Sequence, residues 1–384
     1  MGDVNSSRAL YMVALTMLPK IGPFTARRML EFFGSPEAAF LAPAAQLREL
    51  PRFGQVMEEH FGMLDRTAIL DAAKREIEYA ARNNLGIYLD GDVDYPPLLK
   101  ECPDAPLVLF YRGDTPLQQY YGRKWLSVVG TRRMTDYGRD FVKSLIGGLA
   151  AKGYKLVVVS GLAHGVDGAA HESALANGFP TVGVLGHGMA HFYPMEHVAL
   201  AKQMLGNGGL LTEFMSHRSA DKGTFLQRNR IIAGLSTATV VVESAVKGGA
   251  MVTAQRAMDY QRDVLALPGG AGRELSSGCN QLIKRNVASL IENSDDLESA
   301  LMWSIPNGGE GRPMPVQQTI FYEPTPQEQR ALDALRAHEE MSIDELLRTL
   351  KIPINQLNAM MLHLEFVGQV VLQPGRIYRI KGNG

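Results

Sequence analysis

The chain has 384 residues, 46% hydrophobic and 21% charged, with 39 basic against 40 acidic side chains and a formal net charge of −1. That length exceeds one ordinary core and requires two or three domains, while the charge balance excludes overall basicity as a route to polyanion binding, so any such site must be a local patch. Two distant cysteines, Cys102 and Cys279, exclude a disulfide framework and read as cytosolic thiols.

The opening stretch MGDVNSSRAL has no basic region followed by an apolar one, so no secretory signal is expected and a cytoplasmic location is. No apolar run approaches the length of about 18 residues that a membrane span needs. Ser7 to Leu18 reads as a helix with Leu10, Val13, Ala14 and Met17 on one side, stopped by Pro19. Ile21-Gly22-Pro23 is a tight turn, and Phe24 to Phe33 is a second helix. The pair resembles a helix-hairpin-helix module, whose turn offers backbone N–H groups to a phosphate. Residues 47 to 60 look like a decayed second copy, with Glu58 and Glu59 where a DNA contact needs cations. Acidic and basic residues balance over 1–84, so packing or protein contact is the plainer role for this helical domain. Asp65 to Asn83 is a further helix. Gly86 to Leu89 and Leu107 to Arg112 read as strands at the edge of a central sheet.

From Trp125 onward the chain alternates strand and helix at the pace of parallel α/β units. Expected strands are Trp125–Val129, Leu156–Ser160, Pro180–Leu185, Gly209–Glu213, Thr239–Glu243 and Asp263–Leu267. Expected helices are Thr135 to Leu149, Gly168 to Ala176, Pro194 to Leu205, Phe225 to Ala233 and Gly248 to Arg256. Nearly every strand ends in glycines and polar residues, and in open α/β sheets that edge is where ligands bind. Glu292 to Thr319 has linker composition, with the linker itself placed at 301–319 and the α/β domain at 85–300. Residues 320–384 give three helices and a hairpin through Pro374-Gly375, which resembles a winged helix. Its third helix carries no basic residue except His363, which favours a partner-binding or regulatory role over duplex reading.

The turn Gly130-Thr131-Arg132-Arg133 joins a buried strand to a helix N-terminus. Free N–H groups, the helix dipole and two guanidinium forks favour an anion there. It is neither the dinucleotide fingerprint nor a Walker loop. Arg228, Asn229 and Arg230 are either a second anion contact or a salt-bridge cluster with Glu213 or Glu243. Asp167 and His171, four apart, can pair on a helix without doing chemistry. Glu243 is as readily a local hydrogen-bond anchor as an acid. His187 and His191 share a spacing of four but lie in a loop-like stretch, so no metal site is expected.

These pieces together resemble the DNA processing protein A (Smf) family. The resemblance rests on VVGTRRMTDYGRD, VVVSGLAHGVDGAAHESAL, FLQRNRIIAGLSTATVVVESAVKGGAMVTAQRAMD and VLALPGGAGRELSSGCNQLIKRNVASLI, within Val128 to Ile291. The resemblance implies an α/β, Rossmann-like central domain with a mostly parallel sheet. It also implies an N-terminal helix-hairpin-helix or SAM-like domain and a C-terminal winged helix. It implies a dimeric, non-enzymatic protein of natural transformation that binds single-stranded DNA without sequence preference. Such a protein loads RecA on strands covered by single-strand-binding protein, and uses no cofactor. By the same resemblance Gly130, Thr131 and Arg132 grip phosphate, assisted by Arg133. Gly161 and its loop line the same pocket, and Arg228, Asn229 and Arg230 lie beside it. Lys152 and Lys155 extend the track. His164 stands where the family commonly has arginine, and a neutral imidazole weakens a phosphate contact near pH 7. Thr224-Phe225-Leu226 and Gly248 to Thr253 also depart mildly from the family pattern. Phe141, Phe192 and Tyr193 are stacking candidates, with core packing the plainer role for Phe141. Two alternatives remain. Pro268 to Glu274 partly resembles the glycine-rich stretch of nucleoside monophosphate phosphoribohydrolases, and a nucleotide-sensing regulator would use the winged helix as its output.

Overall fold

The computed structural model describes residues 7–49, 61–303, 324–338, 340–366, 369–373 and 377–380. The chain divides into two compact units, Met1–Asn307 and Gly308–Gly384.

In the first unit, helices α1 (Ser7–Thr16), α2 (Pro23–Phe33), α3 (Pro36–Leu41) and α4 (Arg66–Arg82) precede the sheet. The strands are β1 (Gly86–Leu89), β2 (Val108–Arg112), β3 (Lys124–Val129), β4 (Leu156–Ser160), β5 (Thr181–Val184), β6 (Gly208–Thr212), β7 (Ala238–Val241), β8 (Asp263–Ala266) and β9 (Ser289–Leu290). Between β1 and β2 lies the one-turn helix α5 (Pro97–Lys100). The remaining helices are α6 (Asp136–Ala151), α7 (Val166–Ala176), α8 (Val198–Gly206), α9 (Lys222–Gly234), α10 (Gly249–Asp259), α11 (Glu274–Lys284) and α12 (Ser294–Ala300).

The sheet has nine strands in the order β1-β2-β6-β5-β4-β3-β7-β8-β9. It is parallel from β6 to β9, and β1 and β2 are antiparallel at one edge. Parallel strands buried on both faces read as continuous apolar runs, and β3 and β4 do. Trp125, Val129, Val157 and Val159 face one layer, while Leu126, Val128, Leu156 and Val158 face the other. Each such side chain contributes about 1.5–3 kcal/mol on burial. Chain order runs outward from β3 through β4, β5 and β6, then returns to the other side of β3 as β7. That reversal opens a crevice between the loops after β3 and β7, at the C-terminal edge of the sheet.

The N-terminal helices share a core with Leu89, Leu107, Val108 and Phe110 of the antiparallel edge. Arg27 of the helix-hairpin region donates to Asp90 at 2.6 and 2.9 Å and to the Cys102 carbonyl. It therefore docks the helices on the sheet. The proposed decayed hairpin copy lies largely outside the described residues. Glu76, buried on α4, accepts from the Ser216 N–H at 2.7 Å and its hydroxyl at 2.9 Å, pinning the loop after β6.

Helices α11 and α12 are among the elements that were not legible. Helix α11, ELSSGCNQLIK, has the weak helix formers Ser276 to Asn280 at its centre, and packing against β8 overrides them. Helix α12 and Trp303 fall where the composition reads as linker. Leu297 and Trp303 are nevertheless buried in the core, and Trp303 packs against Tyr154. The chain therefore stays packed through Trp303.

The second unit comprises α13 (Pro326–His338), β10 (Glu340–Ser342), α14 (Ile343–Leu350), α15 (Ile354–Phe366), β11 (Val370–Gln373) and β12 (Ile377–Ile380). Its strands pair in the order β10-β12-β11 around Leu332, Leu335, Leu346, Leu357, Met361 and Leu364. It is a winged helix, with β10 an addition to the expected hairpin. Ser342 and Glu345 form the expected capping box.

Replacing Glu76 by alanine leaves the buried Ser216 N–H without its acceptor. The expected cost is about 1–3 kcal/mol, read as an earlier urea-unfolding midpoint of the first unit.

Candidate nucleic-acid interface

The crevice is built from two turns locked to each other. The Thr131 N–H donates to the Glu243 carbonyl at 2.6 Å, and the Thr131 carbonyl accepts from Val166 at 3.2 Å. Gly165, at a φ of 76°, allows that approach, since a Cβ there would lie 2.2 Å from the Thr131 oxygen. The Glu243 carboxylate accepts from the Thr135 N–H at 2.8 Å and its hydroxyl at 2.6 Å. Thr135 in turn caps α6. Glu243 is therefore an anchor.

Between these turns and α9 lies a cleft of about 910 Å³. Gly130, Thr131, Arg132 and Arg133 form one wall, and Lys247, Gly248 and Gly249 form another. No side chain caps the N-terminus of α10 at Gly248, so its first N–H groups and its dipole favour an anion here. Five cations line the cleft: Arg132, Arg133, Lys222, Arg228 and Lys247. Of its acidic residues, Asp221 caps α9 through the Thr224 N–H and pairs with Arg218, and Asp167 accepts from Gly161 and Ala163. Glu274 stands at the rim.

Arg228 is buried at the back. It donates to the Gly161 carbonyl at 2.8 Å and to the Val184 carbonyl. Burial pushes its guanidinium down to about 10, opposed by Asp167, so it stays charged at neutral pH. Burial pushes the Asp167 carboxyl up, against the pull of Arg228 and the two loop N–H groups. Gly161 lies directly under this pair. Arg132 stands in front, exposed, its guanidinium 5.1 Å from the Phe225 ring centroid, and Arg228 lies 5.9 Å from the same centroid. Tyr193, 46% exposed, is 5.9 Å from Phe225 at an interplanar angle of 51°. The cleft thus joins phosphate donors to a half-exposed aromatic platform.

Of the sequence candidates, the structure brings together Gly130, Thr131, Arg132, Arg133, Arg228 and Asn229, with Gly161 beneath them and Tyr193 at the rim. His164 lies beside the cleft, with Nε2 3.7 Å from Glu196 and its ring 5.0 Å from His197. Arg230 is turned away. It is buried against Glu213 and the Asp104 carbonyl, as the salt-bridge alternative has it, because two residues of helix rotate it far from the face of Arg228. Lys152 and Lys155 are at the opposite edge of the sheet. Lys152 ends α6 in ion pairs with Asp295 and Glu298, and Lys155 precedes β4. Neither lines the cleft. Asp167 and His171 do not pair. His171 shares a 2.7 Å hydrogen bond with Thr181, and burial pushes it down to about 3, a neutral core histidine. Phe141 packs in the core, and Phe192 packs against the ring of His187. Among the described residues no group of three metal-binding side chains occurs.

Lys222, Lys247 and Phe225 are the contributors that sequence reading missed. The capping box Asp221-x-x-Thr224 starts α9 ahead of Phe225 and could have placed Lys222 at a helix N-terminus.

A family model described as DNA recombination-mediator protein A matches residues 86–302, and one described as DprA winged helix domain matches 321–376. Protein Smf of Synechocystis is 31% identical over 98% of this chain and 99% of its own length. DNA processing protein DprA of Streptococcus pneumoniae is 40% identical over 53% of this chain and 70% of its own. The crystal structure of the Streptococcus pneumoniae protein matches with a TM-score of 0.55 and 30% identity over 73% of this chain and 98% of that one. DNA processing protein A from Helicobacter pylori, a structure described for its single-stranded DNA binding mode, matches with a TM-score of 0.50. The identity is 28% over 57% of this chain and 95% of that one.

Gly161→Ala tests the packing at the back of the cleft. The added methyl would lie 2.3 Å from Arg228 Nη1 and 2.6 Å from Asp167 Oδ2. A loss of about 1–3 kcal/mol in unfolding free energy is expected, read by chemical denaturation.

Proposed function

Because the chain belongs to the DNA recombination-mediator protein A family, we propose that the cleft between β3 and β7 binds single-stranded DNA and presents it to RecA. The observation that carries this reading is the pairing of Arg132 with the Phe225–Tyr193 platform. A charged fork stands over an aromatic face beside an uncapped helix N-terminus. Arg132, Arg133, Lys222 and Lys247 neutralise successive phosphates, and a base stacks on Phe225 or Tyr193. No base edge needs to be read, so sequence preference is weak. Buried Arg228 holds the loops and adds a fixed positive field.

The protein acts without catalysis, inside the cell, during natural transformation. It works as a homodimer, since two linked clefts on one strand raise the effective concentration of the second. It opens strands covered by single-strand-binding protein to RecA. The weakly charged winged helix serves partner contact, because the described exposed positions of α15 carry no lysine or arginine. The phosphoribohydrolase alternative draws on Arg273 and Glu274, which line a shallow hollow beside the cleft. Incubation with nucleoside monophosphates is expected to release no free base.

Titration of fluorescent oligo-dT at two salt concentrations tests the assignment. Removing the Phe225 ring should weaken binding by about 1–3 kcal/mol, the worth of one stacked base. Arg132→Ala should weaken it at low salt and reduce the slope of log K against log salt by about 0.7, one phosphate contact. Unchanged affinity in both variants would move the site elsewhere.

A further inference from the structure

Helix α2 carries a second surface suited to a nucleic-acid strand. Phe24 and Phe32 are 49% and 48% exposed. They stand eight residues apart on one helix, about 12 Å along its axis, with the half-buried Arg28 between them at the i+4 position. The Arg28 guanidinium lies 5.4 Å from the Phe24 ring centroid, and Phe32 is braced edge-on by Phe33 at 4.9 Å. Large aromatic rings left half in water, with an arginine interleaved, offer stacking faces and a phosphate partner together. The helix begins at the hairpin turn, where Gly22 has open space on its Cβ side and no side chain caps the N-terminus. Lys20 precedes that turn. Glu31 is the acidic residue on this stretch of α2 and lies at its far end from the turn.

The hairpin turn at which α2 begins lies beside the cleft. Arg218 lines the small cavity beside the hairpin turn and pairs at 2.6 Å with Asp221, which lines the main cleft. The first turn of α9 thus separates the two, with Lys222 on it. We propose that a single strand leaving the cleft crosses the start of α9 and continues onto α2. Its bases stack on Phe24 and Phe32 and its phosphates meet Arg28 and the hairpin turn. This rests on the strand-binding reading of the cleft. It adds a length-dependent segment to that site, and the arginine interleaved between the two rings favours a strand over an apolar peptide.

The test is a length series of oligo-dT, from a strand that fills only the cleft to one long enough to reach α2. It is titrated against the full chain, the double variant Phe24→Ala/Phe32→Ala, and Arg28→Glu. The double variant should bind the short strand as the unaltered protein does and the long strand roughly tenfold or more weakly. Arg28→Glu, which leaves both rings in place, should weaken the long strand and reduce its salt dependence. Unchanged long-strand binding in both variants overturns the proposal. So does a loss accompanied by dissociation to monomers in light scattering, which would make the stripe a contact between copies. If short-strand binding is already absent in the unaltered protein, the cleft reading fails first.

Discussion

Glu243 is the residue on which the site depends. It lies just beyond the end of β7, and its two polar groups point to two different segments of the neighbouring β3–α6 connection. Its carbonyl takes the Thr131 N–H, and its carboxylate takes Thr135. Gly138 comes so close under the carboxylate that a Cβ would lie 2.7 Å from Oε2. One buried acid therefore sets the distance between the two loops that flank the topological reversal. It also orients the N-terminus of α6. Arg132 projects from a turn held at both ends, which is what lets an exposed arginine keep a fixed place over Phe225.

The electrostatics follow from this layering. A chain of net charge −1 has no long-range attraction for a polyanion. The cleft gathers five cations on its lining, while Asp221 and Asp167 are occupied by helix capping and loop N–H groups. The buried guanidinium of Arg228 is compensated by Asp167 and by strand-end carbonyls, so it stiffens the floor. The exposed cations in front make the contacts that salt screens.

The sheet was legible because parallel strands are apolar on both faces and end in glycines. LSVVG, LVVVS and TVVVE announce themselves, and the winged helix showed its capping box at Ser342. The turn Gly130 to Arg133 was legible for the same reason. Legibility failed where the third dimension decides. Arg228 and Arg230 are neighbours in sequence, yet the helix sends one to the cleft and the other to Glu213. Lys152 and Lys155 follow the turn closely in sequence, but α6 carries them to the far edge of the sheet. Lys222 and Phe225 open α9 and Lys247 sits in the turn before α10, two segments that only the fold converges. Helix α11 formed across its weak centre, Ser276 to Asn280, because β8 offers an apolar face to cover.

Photo-crosslinking of an iododeoxyuridine-substituted single strand, with the attached residue identified by mass spectrometry, tests the central claim most directly. Attachment at Phe225 or Tyr193 is the predicted result, since Phe225 lies under Arg132 and Tyr193 packs against Phe225. Attachment confined to the winged helix, or to the opposite sheet edge near Lys152, would contradict the placement of the strand between β3 and β7.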